Sequence, residues 1–117
     1  MNARLLVRLE GALVGGGAAA LYAAQGRSPL FFVALVLAPD LSILGYRRGK
    51  RVGAATYNAA HTYLGPGLLA AVGVLAAVDL AVALALVWTA HIGADRLFGL
   101  GLKYADREFG DTHIQRL

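Results

Sequence analysis

The chain has 117 residues and a formal net charge of +4, with 58% of its residues hydrophobic and only 15% charged. Soluble domains are about 45–50% apolar and about 25% charged, and so short a chain has too little interior to bury its apolar excess. The composition therefore excludes an ordinary soluble domain and predicts a single membrane domain over residues 1–117. Cysteine is absent and the basic residues bracket the apolar runs, so disulfides, thiolate metal sites and a nucleic-acid partner are not expected.

Four apolar segments each approach the roughly 20 residues that a helix needs to cross a bilayer. Each is apolar nearly all round rather than along one stripe, which is typical of helices that lie in lipid. They are residues 5–24, 29–46, 52–77 and 80–98. This pattern predicts an all-α fold, a four-transmembrane-helix bundle with short loops that is followed by a tail at residues 99–117.

Local signals mark where these helices begin, break and pack. Ser28 and Asp79 are the predicted N-caps of the second and fourth helices, and Gly65-Pro66-Gly67 interrupts the third segment. Gly11 and Gly15 form a G-x-x-x-G spacing in the first helix. Small residues at this spacing let helix backbones approach closely in lipid, either within the chain or between subunits.

The short loops predict the orientation of the bundle. If both termini lie on one side, ten of the eleven basic residues lie there too, and only Arg27 lies opposite. The positive-inside rule then predicts a multi-pass protein of the bacterial inner membrane with both termini in the cytoplasm. Membrane lipids are its expected partners, together with a second copy of the chain, most simply in a two-fold dimer.

The C-terminal tail is polar and contains glycine, which is typical of a loose chain end. Yet Tyr104, Phe109 and Ile114 give this tail apolar groups with which it could pack. The sequence therefore leaves open whether the tail folds back onto the cytoplasmic face of the bundle.

Ionisable side chains stand inside all four predicted spans, where each costs about 2.5–3.5 kcal/mol on insertion scales. His91 and Asp95 are four residues apart, so they share one helical face. In the predicted topology all of these groups fall in the cytoplasmic half of the bilayer, which predicts one shared polar site. They are Glu10, Asp40, His61, His91 and Asp95.

Histidines combined with carboxylates are typical ligands of a divalent metal ion such as zinc, which can activate water for hydrolysis. The predicted metal ligands are Asp40, His61, His91 and Asp95. The predicted general base of such a hydrolase is one of Glu10, Asp111 and His113. Two alternatives stay open. The same groups could form a proton relay in a small transporter, or they could hydrogen-bond across helices in a structural or partner-binding protein.

Several stretches stand together in an order that a known family shares. They are LAPDLSILGY (37–46), YNAAHTY (57–63), AHIGADRLFGLGLKY (90–104) and FGDTHIQ (109–115). In these stretches the chain resembles the small bacterial membrane proteins grouped as domain of unknown function family 4260, which implies a membrane fold and no particular activity. The pairs Pro39-Asp40 and His61-Thr62, with His91 four residues before Asp95, are also similar to the membrane-bound metal-dependent hydrolases of the DNA-damage response. That second resemblance implies a metal-dependent hydrolase.

Overall fold

A computed structural model of the chain describes residues 2–107 and 109–117, and about three quarters of the chain is helical. The elements are α1 (Ala3–Ala24), α2 (Pro29–Leu35), a long 3-10 segment (Ala38–Arg48), α3 (Lys50–His61), α4 (Leu64–Leu75), α5 (Asp79–Leu97) and a 3-10 turn (Ile114–Arg116). Within the described ranges, β-structure amounts to an isolated bridge between Lys103 and Thr112. The all-α class is therefore confirmed.

Three stretches of the described chain are long and apolar enough to cross a membrane. They are Ala3–Ala24, Pro29–Arg48 and Asp79–Leu97. Large apolar side chains also cover the outside of the protein: Leu13 is 77% exposed and Leu30 is 76% exposed. An exterior this apolar is stable when lipid rather than water surrounds it.

Helices α1 and α5 form an antiparallel pair whose backbones touch at glycines. A Cβ added to Gly15 would lie 2.9 Å from the Cα of Gly93, and one added to Gly11 would lie 2.9 Å from the Gly93 carbonyl oxygen. At the end of the pair, Arg8 donates a hydrogen bond of 2.7 Å to the carbonyl of Leu97. The predicted G-x-x-x-G packing is thus used within the chain.

The predicted third span, residues 52–77, is two helices. Helix α3 ends at His61 and α4 begins at Leu64, so the chain breaks before Gly65-Pro66-Gly67 rather than at it. Pro66 is tolerated because it lies in the first turn of α4, where backbone N–H groups have no helical partner. Gly65 is also helical, and it leaves the space that the Trp88 ring fills.

The predicted second span, residues 29–46, is α-helical only as far as Leu35 and then continues as the 3-10 segment. Pro39 explains this change, because its ring and missing N–H do not fit the interior of an α-helix. The predicted cap is confirmed at the start of α2, where Ser28 Oγ accepts from the Phe31 N–H at 3.3 Å. The predicted cap of the fourth helix is wrong by one residue, since Val78 occupies that position and Asp79 is the first residue of α5.

The tail folds back onto the bundle. The side chain of Asn58 on α3 pairs with the backbone of Lys103, accepting from its N–H at 2.6 Å and donating to its carbonyl at 2.9 Å. Arg4 on α1 donates to the carbonyl of Gln115 at 2.6 Å, and Ile114 is fully buried. These contacts attach the beginning of the tail to α3 and its end to α1.

The glycine contact between α1 and α5 predicts a difference between two neighbouring substitutions. Gly15→Ala should lower the free energy of unfolding by about 1–3 kcal/mol, because the added methyl group forces two packed backbones apart. Gly16→Ala should be neutral or stabilise by up to about 1 kcal/mol, since no atom of the described residues lies within 4 Å of the added Cβ and alanine favours helix. Unfolding in mild detergent measures both variants, and equal stabilities would contradict the close contact.

Candidate metal centre

Four ionisable groups from three parts of the fold converge at one point. Asp40 comes from the 3-10 segment, His61 is the last residue of α3, and His91 and Asp95 lie one turn apart on α5. One ligand atom from each lies within 4.8 Å of the other three. The predicted ligands therefore do meet.

Five of the six separations between these atoms are close to the edges of a small tetrahedron, and the sixth, between Asp40 and Asp95, is within 4.8 Å. The Nε2 atoms of His61 and His91 are 3.2 Å apart. Asp40 Oδ1 lies 3.2 Å from the first and 3.1 Å from the second, and Asp95 Oδ2 lies 3.5 Å and 3.3 Å from them. Four ligands held about 2.0–2.1 Å from a common zinc ion would be about 3.3–3.4 Å apart, which is close to these five separations.

The outer nitrogen of each imidazole donates to a main-chain carbonyl. His61 Nδ1 lies 2.8 Å from the carbonyl oxygen of Tyr57, and His91 Nδ1 lies 2.6 Å from that of Val36. A carbonyl oxygen only accepts, so Nδ1 carries the proton in each ring, and the Nε2 of the neutral ring presents a lone pair. Ligand histidines are commonly oriented in this way.

The centre collects electron-rich atoms in a largely buried space. The imidazoles of His61 and His91 are 3% and 5% exposed, and the Asp95 side chain is 19% exposed. A single proton shared between the two Nε2 atoms would bridge only two of the four groups. A divalent cation would contact all four and balance the charges of the two neighbouring carboxylates, of which Asp95 is the largely buried one.

Two side chains of α5 donate hydrogen bonds to the backbone carbonyls at the end of α3, where His61 lies. Trp88 Nε1 donates to the carbonyl of Ala60 at 2.6 Å, and Arg96 donates to the carbonyl of His61 at 3.1 Å. These carbonyls belong to the last turn of α3, where no helical N–H remains to pair with them. The Tyr57 ring stacks on the His61 ring with centroids 3.7 Å apart, which further fixes the imidazole. Sequence reasoning missed these supporting roles.

Glu10 and Asp111, two of the predicted general bases, are not among the four converging groups. Glu10 is exposed on α1, where it lines a pocket with Tyr63 and Arg96. Asp111 forms two hydrogen bonds with Arg116, of 3.1 Å and 2.6 Å. This ion pair holds the pKa of Asp111 below its usual range, which makes its carboxylate a weaker base.

His113, the third predicted base, helps to dock the tail. Its Nδ1 accepts from the Leu102 N–H at 2.8 Å, and its Nε2 lies 3.1 Å from the Arg96 guanidinium. Burial lowers the pKa of the His113 imidazole, and the neighbouring Arg96 charge lowers it further. The neutral imidazole is therefore the form that fits the docked tail, and catalytic use of His113 stays a prediction.

The docked tail should loosen in acid. Because the pKa of His113 is lower in the folded chain than its ordinary 6.5, docking is fully stable above that pH and weakens as pH falls through the folded value. Hydrogen exchange of the tail amides, corrected for intrinsic rates, should show less protection at about pH 5.5 than at about pH 7.5. His113→Gln should remove most of this difference, since glutamine accepts the same bond without titrating. Equal protection in the native chain would contradict the assignment.

Comparison with known proteins matches one family along nearly the whole chain. The model of the domain of unknown function DUF4260 matches residues 4–117. The chain matches no curated protein and no solved structure, so the resemblance to membrane-bound hydrolases stays a prediction. The match confirms the first resemblance: the chain belongs to the DUF4260 family.

Proposed function

We propose that this protein is a membrane-embedded metal-dependent hydrolase with one divalent ion, zinc or a similar metal, at its polar centre. The ligands would be Asp40, His61, His91 and Asp95. The observation that carries the proposal is the approach of two imidazole lone pairs and two carboxylate oxygens, five of whose six separations are close to those of a tetrahedral site. When bound, such an ion polarises a carbonyl or phosphoryl oxygen and makes water acidic enough to attack near neutral pH.

The exposed side of the centre supports a catalytic rather than a purely structural ion. His61, His91 and Asp95 surround the site from its buried side, whereas the Asp40 side chain is 41% exposed. Two histidines and one carboxylate are a ligand set that catalytic zinc sites use, with a further position facing the substrate. Asp40 stands at that position, where it would yield to substrate or share the ion with it.

We propose a four-crossing arrangement with both termini in the cytoplasm. Arg4 contacts the tail at one end of the bundle, whereas Arg27 donates to the Asp79 carbonyl at the other end at 3.3 Å. Helix α3 carries the docked tail, and α4 ends at a groove that Arg27 also lines. The two short helices together would therefore make the third crossing, with the basic end of the bundle in the cytoplasm.

Metal content tests the proposed centre. The protein is purified in mild detergent without a histidine tag, supplied with zinc, and analysed by elemental mass spectrometry. We expect close to one ion per chain, lost in His61→Ala and in His91→Ala because each removes a ligand. The matched control is His113→Ala, which removes a histidine outside the cluster and should keep the ion. If the native protein binds no metal after zinc is supplied, the metal centre is contradicted, and a proton relay or a structural network becomes the interpretation of these residues.

Catalysis is a separate test on the same preparations. Chromogenic probes with a carboxylic ester and with a phosphodiester are offered to the zinc-loaded protein. We expect hydrolysis of one probe class that a chelator abolishes and zinc restores. His91→Ala should lose this activity, whereas Gly16→Ala should keep it, since its Cβ meets nothing within 4 Å. Full metal occupancy without turnover of either probe would support the metal site and contradict the proposed hydrolase.

A further inference from the structure

An apolar groove of about 360 Å³ adjoins the metal centre, and every residue that lines it is apolar. Its walls come from the end of α2, from the 3-10 segment, from the end of α3, and from α4 and α5. The lining residues used below are Ala38, Ala60, Leu69, Leu84 and Trp88.

The groove is lined by residues that neighbour the clustered groups in sequence, and it extends along α5 away from the basic end of the bundle. Ala60 directly precedes His61, and Trp88 lies three residues before His91. Leu84 lies seven residues before His91, which is about 10 Å further along α5 at the ordinary helical rise. One end of the groove is therefore beside the polar centre, and the other lies deep among the spans.

The wall of the groove offers apolar surface with almost no free hydrogen-bonding groups. Trp88 carries the indole N–H of this wall, but the carbonyl of Ala60 accepts that hydrogen at 2.6 Å. The indole ring also packs against Gly65, where a Cβ would collide with it. A fixed, apolar wall of this kind suits a hydrocarbon, which gains from dispersion and burial and requires no polar partner.

The groove is flanked by surface that a bilayer would cover. Leu37, just before the 3-10 segment, and Leu41 within it are 66% and 68% exposed; on α4, Leu64 and Leu68 are 72% and 70% exposed. These outward side chains are close sequence neighbours of the groove residues Ala38 and Leu69. An occupant can therefore enter sideways from lipid without crossing a polar surface.

We propose that the groove binds one hydrocarbon chain of a membrane lipid and places the lipid head group at the metal centre. The occupant is drawn from the bilayer, since apolar surface continues from the groove to the lipid-facing outside of the protein. Naming the lipid as substrate rests on the proposed hydrolase, but binding of the chain does not. Filling the groove should therefore weaken lipid binding whether or not metal is present.

The chain has one tryptophan, and Trp88 lines the groove, so its fluorescence reports occupancy directly. The probe is a phosphatidylcholine brominated along one acyl chain, titrated into the protein in mild detergent, because bromine quenches indole on contact. We expect saturable quenching that unbrominated phosphatidylcholine reverses. Ala60→Phe should weaken the apparent affinity by about tenfold or more, because the ring occupies the space of the chain.

Matched variants separate filling of the groove from general damage. Ala59→Phe adds the same ring to an exposed neighbour on α3 and should quench like the native protein. If Ala60→Phe fails to fold, Ala38→Phe fills the groove from the 3-10 segment, and Ala34→Phe is its exposed control on α2. Folding of each variant is checked by its elution as a single species in detergent.

Two results overturn the lipid-binding groove. One is quenching that rises linearly with brominated lipid, and the other is saturable quenching that is equal in filled and control variants. Saturable quenching in the native protein and the control variants, but not in the filled variants, supports the lipid-binding groove. If the same protein binds no metal, only the proposed hydrolase is contradicted. If the protein binds metal but shows no saturable quenching, the metal centre is supported and the lipid-binding groove is contradicted.

Discussion

Each imidazole of the centre donates its Nδ1–H to a main-chain carbonyl, at 2.8 Å for His61 and 2.6 Å for His91. The second carbonyl, that of Val36, is available because α2 ends there. An unsatisfied carbonyl in lipid costs several kcal/mol, so a broken helix is stable only where a side chain replaces the missing N–H. His91 thus satisfies the Val36 carbonyl at the end of α2, and the same hydrogen bond orients its ring toward the cluster. Trp88 and Arg96 donate in the same way to the carbonyls at the end of α3.

Helix α5 connects most of these features. It supplies His91 and Asp95, the indole that caps α3 and lines the groove, and the guanidinium that contacts both α3 and the tail. Its position depends on the glycine contact with α1, where the two backbones meet without side chains between them. A shift of α5 along α1 would move both ligands and both caps together. This explains why the centre and the groove form one unit although their residues come from widely separated parts of the chain.

Sequence reasoning could find the four clustered residues because ionisable residues in apolar spans are few and their predicted depths agree. A predicted depth gives only one coordinate, however, and Glu10 shares that predicted depth without joining the cluster. The helix break at Thr62 and Tyr63 could not be placed from local composition. Glycine and proline mark a break only where backbone N–H groups need partners, and the first turn of a helix needs none. The break is instead held by contacts from Trp88 and Arg96, which lie 28 and 35 residues away from the carbonyls that they cap.

Convergence of two imidazoles and two carboxylates on one ion is tested most directly by X-ray absorption at the zinc edge, measured on the zinc-loaded protein in detergent. The expected spectrum has four nitrogen or oxygen ligands at about 2.0–2.1 Å, with outer-shell scattering from two imidazole rings. His91→Ala should remove one imidazole contribution from whatever ion remains bound. A shell of six oxygen ligands without imidazole scattering would show that zinc binds elsewhere, and it would contradict the site formed by Asp40, His61, His91 and Asp95.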